Sequence, residues 1–268
     1  MDNENKISKQ TFWHKQTLIV KREKPGFYQD KQIVVVSKPE GVLTVPYPGF
    51  KGHTVIGELT EYCRKRGILR GAYKPYVVHR LDKDTSGVLV FAMTQDIQKK
   101  LMDNWQKLAK TRCYVALAEN PRGKDFSPIP DFGTIDAPLT KNAYHHSYVA
   151  NNQRGKKCEQ SKYPQKGNAQ TEKAQKEVSA ITHYKILCRG KNYTLFQLEL
   201  ETGRTNQIRA HLNHIGYTIA GDELFHAKTN PCNRLCLHAK TLEFYHPVSG
   251  ELLCFSENPS QNWEKLCR

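Results

Sequence analysis

Acidic side chains are scarce in this 268-residue chain: 26 Asp and Glu stand against 41 Lys and Arg, a formal net charge of +15. Charge of that sign draws polyanions, of which nucleic acid is the commonest. Part of the excess sits in one polar segment, so charge alone leaves a merely basic soluble protein open. Long apolar runs are missing as well. Nothing approaches the roughly 20 apolar residues that span a bilayer, and the opening MDNENKISKQ is polar with no apolar leader behind it. No membrane partner is expected. Cysteine occurs eight times but never as a C-x-x-C pair. That argues against a disulfide framework and for free thiols in a cytoplasmic setting. Cys232, Cys236 and His238 lie close in sequence, but no second ligand pair has zinc spacing. They read as packed side chains, and no metal is expected.

Short strand-like and helix-like runs are abundant. IVVVSK (33–38), VLTV (42–45), YVVH (76–79), GVLVFAM (87–93), TRCYVALAE (111–119), ITHYKIL (181–187) and YTLFQLEL (193–200) read as strands. So do LCLHA, LEFYH and ELLCFS near the end. In the strand at 111–119, Cys113, Val115 and Leu117 share one face and Tyr114, Ala116 and Ala118 the other. Three helices separate these runs. One follows Thr54 with Val55, Ile56, Leu59, Tyr62 and Cys63 on one face and Gly67 at its end. A second follows Thr94 with Ile97, Leu101, Trp105 and Leu108 in register, and a third opens at Thr205 and stops at Gly216. Strands outnumber helices, which predicts an α+β domain with a mixed, largely antiparallel sheet flanked by helices. Residues 1–13 read as a flexible tail, and 14–268 as the domain. Residues 150–177, rich in Lys and Gln and nearly free of large apolar groups, read as a disordered insertion within it.

Two segments carry more polarity than a fold needs. Between apolar runs lies RLDKDTS (80–86), six of whose seven residues are polar. Read by itself it is either a turn in which Asp84, Thr85 and Ser86 bond their own backbone, or a loop presenting a reactive carboxylate. The first reading does not account for Arg80 and Asp82 together. An Asp beside a guanidinium is expected to hold its pKa low, which suits a nucleophile or an electrostatic anchor. The second segment, ETGRTNQIRAHL (201–212), brings Arg204, Asn206, Gln207 and Arg209 to a helix start. That is a natural anion site, and equally a capped surface helix.

In HRLDKDTSG the chain resembles the RluA family of pseudouridine synthases, whose pattern is H-R-L-D-x-x-T-S-G. ETGRTNQIRAHL resembles that family's T-G-R-x-x-Q-I-R-x-H, SKPEGV its early K-P-x-G, and LHAKTLEFYHP its closing L-H-A; Gly221-Asp222 stands where expected. Four elements in order are a specific match, covering roughly residues 30 to 250.

The resemblance implies the pseudouridine synthase catalytic fold and conversion of uridine to pseudouridine in rRNA or tRNA, without a cofactor. It implies Asp82 as the catalytic carboxylate, and Tyr114 stacked on the target base and helping to move the C5 proton. Arg209 would pair with Asp82, and Arg80 would fill the space left by the extruded uridine. His79, Arg204, Asn206 and Gln207 would contact RNA, with Ile208 and Leu237 as apolar supports of the pocket. The family usually has His where this chain has Asn206, which cannot titrate. Only about thirty residues precede the first strand, too few for an S4-type RNA-binding module. RNA recognition would then rest on the domain itself, acting as a monomer. Two further readings stay open. One is a catalytically silent RNA-binding factor on this scaffold. The other is a nucleoside glycosidase, which would use two placed carboxylates.

Overall fold

The structure, a computed structural model, describes residues 28–121, 128–142, 146–149, 177–259 and 261–268. The expected tail at 1–13 and, apart from Glu177, the expected insertion at 150–177 lie outside the described residues. In chain order the strands are β1 (Tyr28–Gln29), β2 (Ile33–Lys38), β3 (Tyr76–Val77), β4 (Ser86–Ala92), β5 (Ala109–Glu119) and β6 (Phe132–Asp136), followed by β7 (Leu139–Lys141), β8 (Ser147–Val149), β9 (Ile181–Arg189), β10 (Tyr193–Leu200), β11 (Leu237–Tyr245) and β12 (Leu252–Ser256). The helices are α1 (Val55–Lys65), α2 (Gln95–Asp103), α3 (Trp105–Leu108), α4 (Gln207–His214) and α5 (Trp263–Cys267).

Ten strands form one sheet in the order β1-β2-β4-β11-β5-β10-β9-β6, with β3 on β4 and β12 on β11. The pairings are antiparallel except β4 with β11, where His238 faces Ser86 and Ala239 faces Gly87. The mixed, largely antiparallel α+β architecture is thus as the residue pattern predicts. The unbroken apolar run of β2 follows from burial on both faces. Ile33 and Val35 pack with Leu101 of α2 on one side. Val34 and Val36 pack with Val55, Leu59 and Cys63 of α1 on the other. A third core lies under β5, β10 and α4.

Thr54 and Thr94 cap α1 and α2 through their hydroxyls, and Gly67 ends the α1 segment at φ +65°. The run 42–45 is not a strand. The carbonyls of Leu43 and Thr44 accept the N–H groups of Val55 and Ile56 at 2.9 and 3.2 Å, so they cap the first turn of α1. The apolar spacing at 97–108 does not make one helix: it breaks at Asn104 into α2 and α3. Of YVVH only Tyr76–Val77 pair in the sheet. LCLHA and LEFYH fall largely within one strand, β11, whose register shifts between Ala239 and Thr241. The third helix begins at Gln207 and not Thr205, because Asn206 takes a left-handed backbone (φ 54°). Strands β1, β6, β7 and β8 and helix α5 have no counterpart in the sequence-based expectation.

Candidate active site

The loop between β3 and β4 holds Arg80 and Asp82, two of the residues expected at the site, and contacts remote in sequence fix it. A turn closes where the Thr85 N–H donates to the Asp82 carbonyl (3.1 Å). Leu81 is buried in the core beneath α1. Its N–H donates to the Thr44 hydroxyl, which donates in turn to the Leu81 carbonyl (3.3 and 2.9 Å). The fully buried Lys38 ammonium donates to the carbonyls of Pro39 and Lys83 (2.8 and 2.7 Å). The K-P-E-G element therefore holds the loop from below. Ser86 is not a self-bonded turn residue. Its hydroxyl accepts from Arg234 and bonds His238 Nδ1, both at 2.7 Å. His238 Nε2 lies 3.0 Å from the Glu257 carbonyl, so both ring nitrogens have partners away from the Cys232 and Cys236 thiols.

Across from this loop stands the turn that leads into α4. Gln207 is 2 % exposed and bonds only protein groups. Its Oε1 accepts from the Thr202 hydroxyl and the Arg204 N–H, and its Nε2 donates to the Ile181 carbonyl and Thr182 hydroxyl. The expectation that Gln207 contacts RNA is therefore corrected: its amide is spent holding the turn together. The expected Arg209–Asp82 pair is also corrected. Arg209 Nε and Nη2 donate to the two oxygens of buried Asp222 at 2.7 and 2.6 Å, and Nη1 donates to Asn206 Oδ1 at 3.2 Å. A two-pronged pair takes the best geometry the guanidinium has, which leaves Asp82 to feel Arg209 only through space.

These elements enclose a cavity of about 410 Å³ lined by His79, Arg80, Asp82, Tyr114, Arg204, Asn206 and Arg209, with Ile208 and Leu237 as buried apolar wall. Every residue expected at the site thus borders one space, Gln207 included. Thr85, Trp105, Gln106 and Arg112 line it too. Arg80 and Arg204 are exposed at its edge.

The electrostatics differ from a simple ion pair. Burial pushes the Asp82 carboxyl above its ordinary range, and Arg209, Arg80 and Lys38 oppose that shift without overcoming it. The low pKa expected from a neighbouring guanidinium is therefore corrected. Burial pushes the Tyr114 phenol up to about 12, against the pull of Arg112, so it keeps its proton at neutral pH. His79 is lowered to about 3 by burial and by Arg112. Its neutral ring stacks on Trp105 (4.8 Å) and accepts the Val90 N–H at Nε2 (3.3 Å). Burial also lowers Lys38, to about 7. Lys38, Thr44 and Arg234 were not singled out from sequence. The signal for Lys38 was its place in K-P-E-G. For Asp222 it was the Gly-Asp dipeptide, whose Gly221 (φ +76°) lets the Arg234 carbonyl approach where a Cβ would sit 2.0 Å away.

A carboxylate, a protonated phenol and several cations around a cavity of nucleoside size suit acid–base or covalent work on a polar ring carried by a polyanion. The fold is shared with human "RNA Pseudouridylate Synthase Domain Containing 4" (TM-score 0.63, 20% identity, covering 87% of this chain and 88% of that one). It is shared equally with human "RNA Pseudouridylate Synthase Domain Containing 1" (TM-score 0.65, 20% identity, 94% and 87%). Likeness at that identity establishes the architecture alone.

The family model described as "RNA pseudouridylate synthase" matches residues 32–214, more than half of the chain. The "Uncharacterized RNA pseudouridine synthase YlyB" of Bacillus subtilis is 33% identical over 85% of this chain and 67% of its own length. The "Ribosomal large subunit pseudouridine synthase D" of Haemophilus influenzae is 32% identical over 84% and 64%. The chain belongs to the RNA pseudouridylate synthase family, a family of isomerases, as its motifs imply. It spans about two thirds of the length of these curated relatives.

Proposed function

We propose that this chain isomerises uridine to pseudouridine in ribosomal RNA, with Asp82 as the essential carboxylate and no cofactor, as a cytoplasmic monomer. The observation that supports it best is the half-buried carboxyl of Asp82, set in one cavity with Tyr114 and facing Arg209, Arg80 and Lys38. The named relatives that act on the large ribosomal subunit favour rRNA as the substrate.

The reaction breaks the bond from N1 to the sugar, turns the base, joins C5 to the same sugar carbon and removes the C5 proton, while N1 gains a proton, so that the product is an isomer. The uridine must first leave its stack, which costs a few kcal/mol. Arg80, exposed at the cavity edge, fills the gap it leaves. Ionised Asp82 acts on the sugar or base, and the nearby cations steady its charge as it does so. Tyr114 stacks on the base and relays the proton lost from C5. Asn206 supplies shape and not titration. The Asn for His exchange falls at a left-handed residue, and both Asn and His are enriched there.

The test is pseudouridine formation on rRNA and tRNA transcripts by the native chain and by Asp82→Asn. Product from the native chain on rRNA and none from the variant, with RNA still bound by both, is the expected result. Binding by both without product from either would replace the isomerase with a silent RNA-binding scaffold, and free uracil would indicate a glycosidase.

A further inference from the structure

We infer that Arg112 is a phosphate subsite inside the cavity, taking a backbone phosphate of the nucleotide that enters; this rests on the proposed RNA substrate. Arg112 stands two residues before Tyr114 on β5, so the two side chains share a face of the sheet. Both border the cavity. Its Nη2 is spent on two carbonyls, Leu200 at 2.8 Å and Glu201 at 2.7 Å, which fixes the guanidinium plane. Among the described residues no acceptor meets Nε or Nη1. Gly203 keeps Nη1 uncovered, since a Cβ there would come within 3.0 Å of it.

What sets Arg112 apart is the lack of a counter-charge. Arg209 is matched by Asp222 at 2.6 Å and Arg234 by Glu40 at 2.7 Å. Among the described residues Arg112 has only neutral carbonyls as partners. A half-buried guanidinium with no anion is expensive to retain for fold stability alone. A ligand that brings its own negative charge removes the cost, and a nucleotide entering this cavity carries phosphates within reach of its ring. A guanidinium is suited to such a group: permanently charged, rigid and rich in donors. His79 beside it stays neutral, so Arg112 presents the fixed charge on that wall.

The test compares Arg112→Lys with Arg112→Gln. Both lose the planar clamp on residues 200 and 201, and only the second loses the charge. Binding to large-subunit rRNA transcript fragments is measured across a KCl series, with melting temperatures alongside. The expected result is that Arg112→Gln binds about tenfold more weakly than Arg112→Lys, with a salt slope shallower by about one. Equal slopes and affinities would overturn the subsite and leave Arg112 as a clamp. On the native chain, uridine monophosphate should displace labelled RNA at lower concentration than uridine; equal displacement overturns the inference even if the Gln variant does not fold. Pseudouridine is assayed in parallel. A slope difference without product from the native chain would sink the isomerase and keep the phosphate subsite.

Discussion

Asp82 holds its proton more tightly than a free carboxylate, because burial outweighs the three cations that face it. Burial thus disfavours the charged form, which is the one the proposed chemistry needs. Asp82→Asn is therefore expected to abolish isomerisation while its melting temperature stays at or above native, which a product assay and a thermal scan together check. The same shift sets the pH profile. Activity that needs the ionised form falls as pH drops through a value above the ordinary 3.8. Arg80→Gln removes one of the opposing cations and moves that acidic limb further up, measurable as kcat against pH. Lys38 carries the opposite sign. Its folded value is about 7 against an ordinary 10.5. Between those values the unfolded chain holds the extra proton, so stability rises with pH across that window. Lys38→Met should flatten the rise in urea titrations at pH 7.5 and 9.5, and lower stability at both by leaving the Pro39 and Lys83 carbonyls without their donor. Asp222→Ala strands the Arg209 guanidinium, whose side chain is 11% exposed. That should cost on the order of 3 kcal/mol in denaturant unfolding and depress turnover with it.

At the scale of elements, two backbone positions aim the site. Gly87 pairs with Ala239 in the parallel contact of β4 with β11 at φ +123°, and a Cβ there would lie 2.1 Å from the Ala239 carbonyl. Gly87→Ala must push the two strands apart just after the loop that carries Asp82. A loss of about 3 kcal/mol in unfolding is expected, with activity falling further than stability. Asn206 turns the chain left-handed into α4. Gly is expected to be tolerated there, whereas Val should cost about 1–2 kcal/mol by the same measurement.

Elements whose period or caps are local were legible: β2 and β10 match their expected ranges, and both helix-capping threonines act as read. Those that depend on a distant partner were not. The run at 42–45 looks like a strand until α1 claims its carbonyls, and β7 pairs with β8 in a small separate sheet. Asn104, which divides α2 from α3, sits within helical spacing that by itself reads as continuous.

At the scale of the whole molecule, a net charge of +15 supplies attraction that the cavity converts into position. RNA affinity is expected to fall steeply between about 50 and 200 mM salt, by orders of magnitude if several phosphates are neutralised. The sequence by itself determined the α+β class, the polar loop between apolar strands and the order of the family's motifs, and the resemblance those motifs carry pointed to residues that border one cavity. The class and the loop follow from local periodicity and residue chemistry, and the site residues from the family resemblance. Only the tertiary structure decided that Arg209 grips Asp222 and not Asp82, that Gln207 is sealed inside the turn, and that Arg112 meets no anion among the described residues. It also decided that Asp82 is raised and not lowered. Each depends on which groups converge from distant parts of the chain and on how much water they exclude, and neither quantity is carried by any short stretch of sequence.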